Sequence, residues 1–109
     1  MARDSLGNFE HQVLLTLLRL GGEAYSVPIV EELEERTRRE VAQAAVFIVL
    51  RRLEKKGQLT SRFEAPAEGK PGRTRCYFKM TPLAMRQLKE ARRQLRWLWE
   101  GVETVLDKA

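Results

Sequence analysis

The sequence predicts a mainly α fold with a small β-hairpin and a long last helix. Three observations carry that expectation. Apolar stripes of helical period occur over residues 9–20, 26–38 and 42–56, and again from Pro82 onward. Alternation of period two is confined to Arg73–Met80, with a short strand-like run, Leu59–Phe63, ahead of it. Between those two runs lies EAPAEGKPG, residues 64–72, a loop punctuated by proline and glycine.

In the first helix, Val13, Leu14, Leu17 and Leu18 form the stripe, and Leu6, Leu15 and Leu20 widen it. A helix apolar over so much of its circumference is covered on more than one side. Gly21-Gly22 ends it, because glycine takes the left-handed conformation at a helix C-terminus without strain. In the second helix Ser26 is the expected N-cap, Pro28 fits the first turn, and Ile29, Val30 and Leu33 face inward. Glu31, Glu32, Glu34 and Glu35 favour the positive end of its dipole, and the helix ends near Arg38. In the third helix Val46, Val49, Leu50 and Leu53 face inward, Gln43, Ala44, Phe47 and Arg51 project on the opposite side, and Gly57 stops it. In the hairpin, Cys76, Phe78 and Met80 share one face, and Arg75, Tyr77 and Lys79 the other.

Thr81-Pro82 reads as an N-cap followed by a first-position proline. From there one helix is expected to about Leu106. Ala84, Leu88, Ala91, Leu95, Leu98, Val102 and Val105 recur with heptad-like spacing, broadened by Met85, Trp99 and Leu106. Such a rod is nearly 40 Å long at about 1.5 Å per residue, more than the rest of the chain can cover. The simplest partner for its uncovered seam is a second copy, a homodimer. The organisation expected is therefore a compact unit over residues 1–81 and a dimerisation helix over 82–109, within the 109 residues of a single domain.

Charge is distributed unevenly. Residues 1–40 hold five basic and eight acidic side chains, residues 41–81 nine and three, and residues 82–109 six and four. The middle third is therefore +6, and it contains the hairpin. Concentrated positive charge is the footprint of a partner that is a polyanion. Two helices, a turn, a third helix and then a basic hairpin make a winged helix-turn-helix. In that arrangement the third helix enters the major groove of double-stranded DNA and the hairpin lies along the backbone. Lys70, Arg73 and Arg75 are the wing cations that displace counterions. Gln43 is suited to an adenine edge, and Ala44 or Ala45 to a thymine methyl. Tyr25, ahead of the second helix, is within reach of a phosphate, or else is a half-buried turn residue. Arg51 is the better placed of the pair Arg51-Arg52.

The segments LGNFEHQVLLTLLRLGGEAYSVPI, VFIVLRRLEKKGQLTSR, GRTRCYFKMTP and LWEGV, in this order and spacing, resemble the PadR family of transcriptional regulators in its short form, with a single C-terminal helix. The resemblance covers about residues 6–106. It implies a homodimeric DNA-binding repressor on a pseudo-palindromic operator. It often implies release by a small apolar or aromatic inducer near the dimer interface. The interface expected on this basis comprises Leu14, Leu18, Leu88, Leu95, Leu98, Trp99, Val102 and Leu106. Trp97 falls on a polar line of the helix and is a candidate for packing or for ligand contact. The chain departs from the family pattern at Ala42, where a capping Ser or Thr is usual. It also departs at Ala44, at Phe47 (usually Tyr), at Gln58 (usually apolar), at Cys76 and at Ala84.

Other functions fit less well. One histidine, His11, and one cysteine, Cys76, provide no catalytic dyad and no metal-ligand set, and no glycine loop cradles a phosphate. No enzyme activity, metal or cofactor is expected. The longest apolar cluster, Val13–Leu20, is too short to cross a bilayer, and the start lacks the pattern of a signal peptide, so a cytoplasmic location is expected. Two rivals remain: a winged helix turned into a protein-interaction module, and a ligand-binding dimer with only non-specific DNA affinity.

Overall fold

A computed structural model of the chain describes residues 7–109. Leu6, assigned above to the first stripe, lies outside them. The elements run α1 (Asn8–Arg19), β1 (Glu23–Ala24), α2 (Ser26–Thr37), α3 (Gln43–Lys55), β2 (Leu59–Glu64), β3 (Arg75–Met80), α4 (Pro82–Trp99) and α5 (Glu103–Asp107). The three-stranded antiparallel sheet has the order β1-β3-β2. Its hairpin register runs from Leu59 opposite Met80 to Glu64 opposite Arg75. The period-two segment is thus the central strand. The two-residue strand β1 pairs with its other edge through Glu23–Lys79 and Ala24–Phe78. No alternation foretells β1, since two residues are too few to show a period.

The core is where the stripes meet. Val13, Leu14 and Leu17 of α1, Ile29 and Leu33 of α2, and Val46, Val49, Leu50 and Leu53 of α3 are buried together with Leu59, Phe78, Ala84 and Leu88. Cys76 and Met80, on the face of β3 shared with Phe78, pack against this cluster. The turn between α2 and α3 is set by Arg38, whose φ of 56° makes it a left-handed C-cap. The Glu34 carboxylate then accepts the Val41 N–H at 2.9 Å, closing the turn. The N-cap of α2 is Tyr25 and not Ser26, and it offers no side-chain bond. Ser26 is already helical, and its hydroxyl accepts from Gln43 Nε2 at 3.2 Å instead. Ala42, the N-cap of α3, likewise has no side-chain bond to give. At α4 the expected cap is present: Thr81 Oγ1 accepts the Ala84 N–H at 3.3 Å.

The single long helix does not form. The α-helix stops at Trp99, Gly101 takes φ +85°, and the five-residue α5 follows. Heptad spacing reports which face is apolar, not whether the backbone is continuous. A glycine with positive φ is a strain-free place to end a helix. α4 is therefore about 27 Å long at 1.5 Å per residue, and the seam beyond it, Val102 and Leu106, belongs to a separate turn of chain.

Two polar side chains, Glu10 and Gln58, are buried beside this core. Glu10, on α1, is buried. Its carboxylate accepts the Gly7 N–H at 3.0 Å and pairs with Lys56 Nζ at 3.0 Å, with Arg52 at 3.9 Å. Burial pushes this carboxyl upward. The Gly7 N–H, Lys56 and Arg52 together outweigh burial and hold it below the ordinary carboxylate range. The bridge ties the start of α1 to the end of α3. Gln58 is fully buried, donates to Gln87 Oε1, and keeps its own Oε1 without a hydrogen-bond partner among the described residues.

Because the pKa of Glu10 is lower in the folded chain, its contribution to stability is complete above the ordinary carboxylate pKa. It is lost as pH falls through the folded value. Glu10→Gln should therefore cost about 2 kcal/mol at neutral pH, from loss of charge-assisted hydrogen bonds. It should also flatten the fall in melting temperature that the unmodified chain undergoes on acidification from about pH 5 to pH 3. Thermal melts of both proteins across that range check the sign.

Candidate nucleic-acid interface

Local sequence builds this region in two parts. The first is the outer side of α3. The buried residues Val46, Val49, Leu50 and Leu53 define its inner line. Ala44, Ile48, Arg51 and Lys55 lie opposite that line at about 100° per residue. Ala44 is exposed, and Ile48 keeps 58% of its surface in solvent. Ile48 was missed as a candidate site residue. The angular position of each residue relative to the buried stripe was the signal that could have found it.

Gln43 and Phe47 sit on the same flank of the outer line, about 110° and about 70° from it. The Gln43 amide is turned toward α2 and engaged by Ser26. The Phe47 ring meets Phe78 edge-on, with centroids 6.0 Å apart, and is 38% exposed. The Arg51 guanidinium lies over both rings, 5.1 Å from the Phe47 centroid and 5.7 Å from that of Phe78. It also pairs with Glu54 at 2.9 Å. Glu54 accepts from the Ser61 hydroxyl on β2. The Ser61 bond and the Arg51 charge lower the Glu54 pKa against the opposing effect of burial. α3 is thus joined to the sheet by an aromatic contact and by a relay of three polar side chains.

The second part is the outer face of the hairpin. The Tyr25 and Tyr77 rings meet edge-on at 5.5 Å. Arg75 lies over Tyr25 at 4.5 Å and Arg62 over Tyr77 at 4.7 Å. Arg62 also pairs with Glu23 at 2.9 Å and with Glu64, and both carboxylates raise its pKa. Tyr25 is half-buried in this stack. The sequence placed Arg73 in β3, but the strand begins at Arg75, and Arg73 is in the loop with Lys70. Lys70 and Arg73 are exposed and have no ion pair among the described residues. The loop folds on itself through the Lys70 N–H to Ala67 carbonyl bond at 2.9 Å. The structure therefore brings Tyr25, Arg75 and Tyr77 together and Phe47, Arg51 and Phe78 together. It keeps Lys70 and Arg73 at the wing tip.

A second, apolar feature runs between α1 and α4. This groove of about 520 Å³ is lined by Leu15, Leu18, Met85, Leu88, Leu95 and Trp99, with His11, Lys89, Arg92 and Arg96 at its rim. Burial holds the His11 pKa below its ordinary value. Leu14, expected at the interface, needs correction. Leu14 is wholly inside the core, and Leu88 nearly so, because both complete the packing of their own chain. Leu15 takes the exposed place expected for Leu14, one position round the helix. Leu18, Leu95 and Trp99 line the groove. Leu98 is exposed and not among the residues that line it, and Val102 and Leu106 lie past the Gly101 break. Trp97, the ligand candidate, is 60% exposed and off the groove; Trp99 is the tryptophan that lines it.

The geometry meets its relatives at this point. Residues 14–90 match the model of the transcriptional regulator PadR-like family. The chain belongs to this family. A PadR family transcriptional regulator from Eggerthella lenta DSM 2243 superposes with a TM-score of 0.69 at 27% identity, over 89% of this chain and 82% of that one. F93 from STIV, a winged-helix DNA-binding protein, gives 0.63 at 14% identity, over 84% and 90%. The organohalide-sensing regulator RdhR-CbdbA1625, in a 2,4-dichlorophenol-bound form, gives 0.68 at 17% identity, over 94% and 54%. No curated protein sequence matches the chain. As a PadR-like chain it is a transcription regulator of winged-helix fold. Among the described residues no helix is long and apolar enough to cross a membrane.

Phe47→Ala should remove the ring shared by Phe78 and Arg51 and cost about 1 kcal/mol, the worth of an edge-to-face pair. Phe47→Tyr, which keeps the ring, should cost much less. Chemical denaturation of the two variants separates these outcomes.

Proposed function

We propose that this PadR-like chain is a homodimeric, sequence-specific DNA-binding repressor released by a small apolar or aromatic molecule. The observation that carries the DNA reading is the basic surface formed by the outer side of α3 and the adjoining wing. Lys55 and Arg52 are exposed on α3, and Lys70, Arg73 and Arg75 on the wing. Under this reading α3 enters the major groove and the wing cations hold the phosphates. Arg75 is braced by Tyr25, so it positions the backbone with little loss of side-chain freedom. A dimer bound across an operator represses by occupying the DNA that the polymerase needs.

The α1/α4 groove supports both remaining parts. Its apolar walls, open to solvent in one copy, suit the α4 helix of a second copy. Its volume is within the range of small-molecule sites, and its cationic rim favours an aromatic ligand that carries an acidic group. The dichlorophenol-bound form of RdhR-CbdbA1625 is in keeping with an aromatic effector for this fold.

Fluorescence anisotropy against DNA from upstream of the chain's own gene, with scrambled DNA as control, tests the DNA reading. Arg73→Glu should weaken binding to every sequence and reduce the slope of log affinity against log salt by about one. Unchanged affinity would remove the wing from the interface. For the dimer, Leu15→Asp with Leu95→Asp should give a folded monomer in light scattering, because a desolvated carboxylate would face the apolar partner. Dimers that persist would move the interface elsewhere.

A further inference from the structure

Ile48 has no structural reason to be where it is. It lies about 30° from the line opposite the buried stripe of α3, whereas Gln43 lies about 110° away. Its side chain is 58% exposed, and it is not among the partly buried residues that pack on the core. A β-branched residue on an exposed helical surface is a poorer helix former than Ala, Lys or Glu. Ala44, one turn before it on the same line, is also exposed and also apolar.

The two polar side chains expected to read bases are engaged. The Gln43 amide donates to Ser26. The Arg51 guanidinium donates to Glu54 and is stacked over Phe47 and Phe78. Bidentate recognition of guanine needs a free guanidinium fork, and recognition of adenine a free amide. What the N-terminal half of α3 offers outward without rearrangement is therefore apolar. Lys55 continues the same line, and Arg52 lies beside it. A patch bordered by cations suits DNA better than an apolar protein surface.

We infer that Ile48, with Ala44, reads thymine C5-methyl groups in the major groove. The inference rests on the DNA-binding reading above and adds to it the chemistry of the readout. Thymine is the one standard DNA base with a methyl group on its major-groove edge. An isoleucine opposite that methyl excludes water from it, and no hydrogen bond is required.

The test uses the full chain and duplexes enriched by it from a random-sequence pool. Each thymine is replaced in turn by deoxyuridine, which removes the methyl and keeps every hydrogen-bonding group. Affinity should fall about fourfold at the thymine that meets Ile48, and about fifteenfold when both half-sites are changed. In Ile48→Ala, verified as folded by a cooperative melt at no lower temperature, the same replacement should change affinity by less than about twofold. If the enriched duplex is still preferred but no deoxyuridine replacement weakens it, the inference is overturned and DNA recognition stands. Full sensitivity retained in Ile48→Ala also overturns it. Salt-dependent binding without sequence preference would overturn the readout alone, and absence of DNA binding would overturn the readout and the DNA reading together.

Discussion

The buried ring of Phe78 is where the helices and the sheet become one body. It sits in the central strand, pairs with Ala24 on one side and Ser61 on the other, and meets Phe47 of α3 edge-on. Its burial is complete, so the strand cannot slip by one residue without exposing the ring and burying Tyr77 or Lys79 in its place. That register in turn fixes Arg75 beside Tyr25 and Ser61 beside Glu54. The angle between α3 and the wing follows from one strand's alternation. Any partner that touches both surfaces meets them as a preset pair.

The charges on these surfaces are of two kinds. Arg62, Arg51 and Lys56 are committed to carboxylates of their own chain and serve mainly to hold elements together. Lys70 and Arg73 have no such partner among the described residues, and Arg75 is held by a ring and not by an acid. Exposed cations of the second kind retain their full field, and a polyanion they neutralise gains free energy by releasing its own condensed counterions. A count of basic residues in the middle third does not make this distinction. It needs the distances.

The C-terminal part obeys a different constraint. α4 is apolar along one side and belongs to an elongated molecule measuring 58 × 30 × 21 Å. Ala84 and Leu88 find cover within the chain, but Leu95 and Trp99 do not. The groove they form with Leu15 and Leu18 keeps an apolar surface open to solvent. Gly101 then ends α4, so the last apolar residues are carried on a separate short segment, α5.

Sequence alone determined the helices of the body, the hairpin and the basic wing. Each depends on near neighbours: a repeat of 3.6 or 2 residues, a proline or glycine at a turn, a cluster of like charge. It also determined the family, because the order of these segments is carried by the chain itself. Tertiary structure decided which side of a helix was left over. Leu14 and Leu15 read alike in a stripe, yet only one is buried, since that depends on where α4 crosses. Glu10 and Lys56 are 46 residues apart, and nothing local announces their bridge. Arg51 reads as a free base-reading cation until the rings of Phe47 and Phe78 are brought beneath it. The long helix failed for the converse reason: heptad spacing survives across Gly101, but the backbone there obeys its own torsions. Periodicity is a property of the chain. Exposure and partnership are properties of the space it folds into.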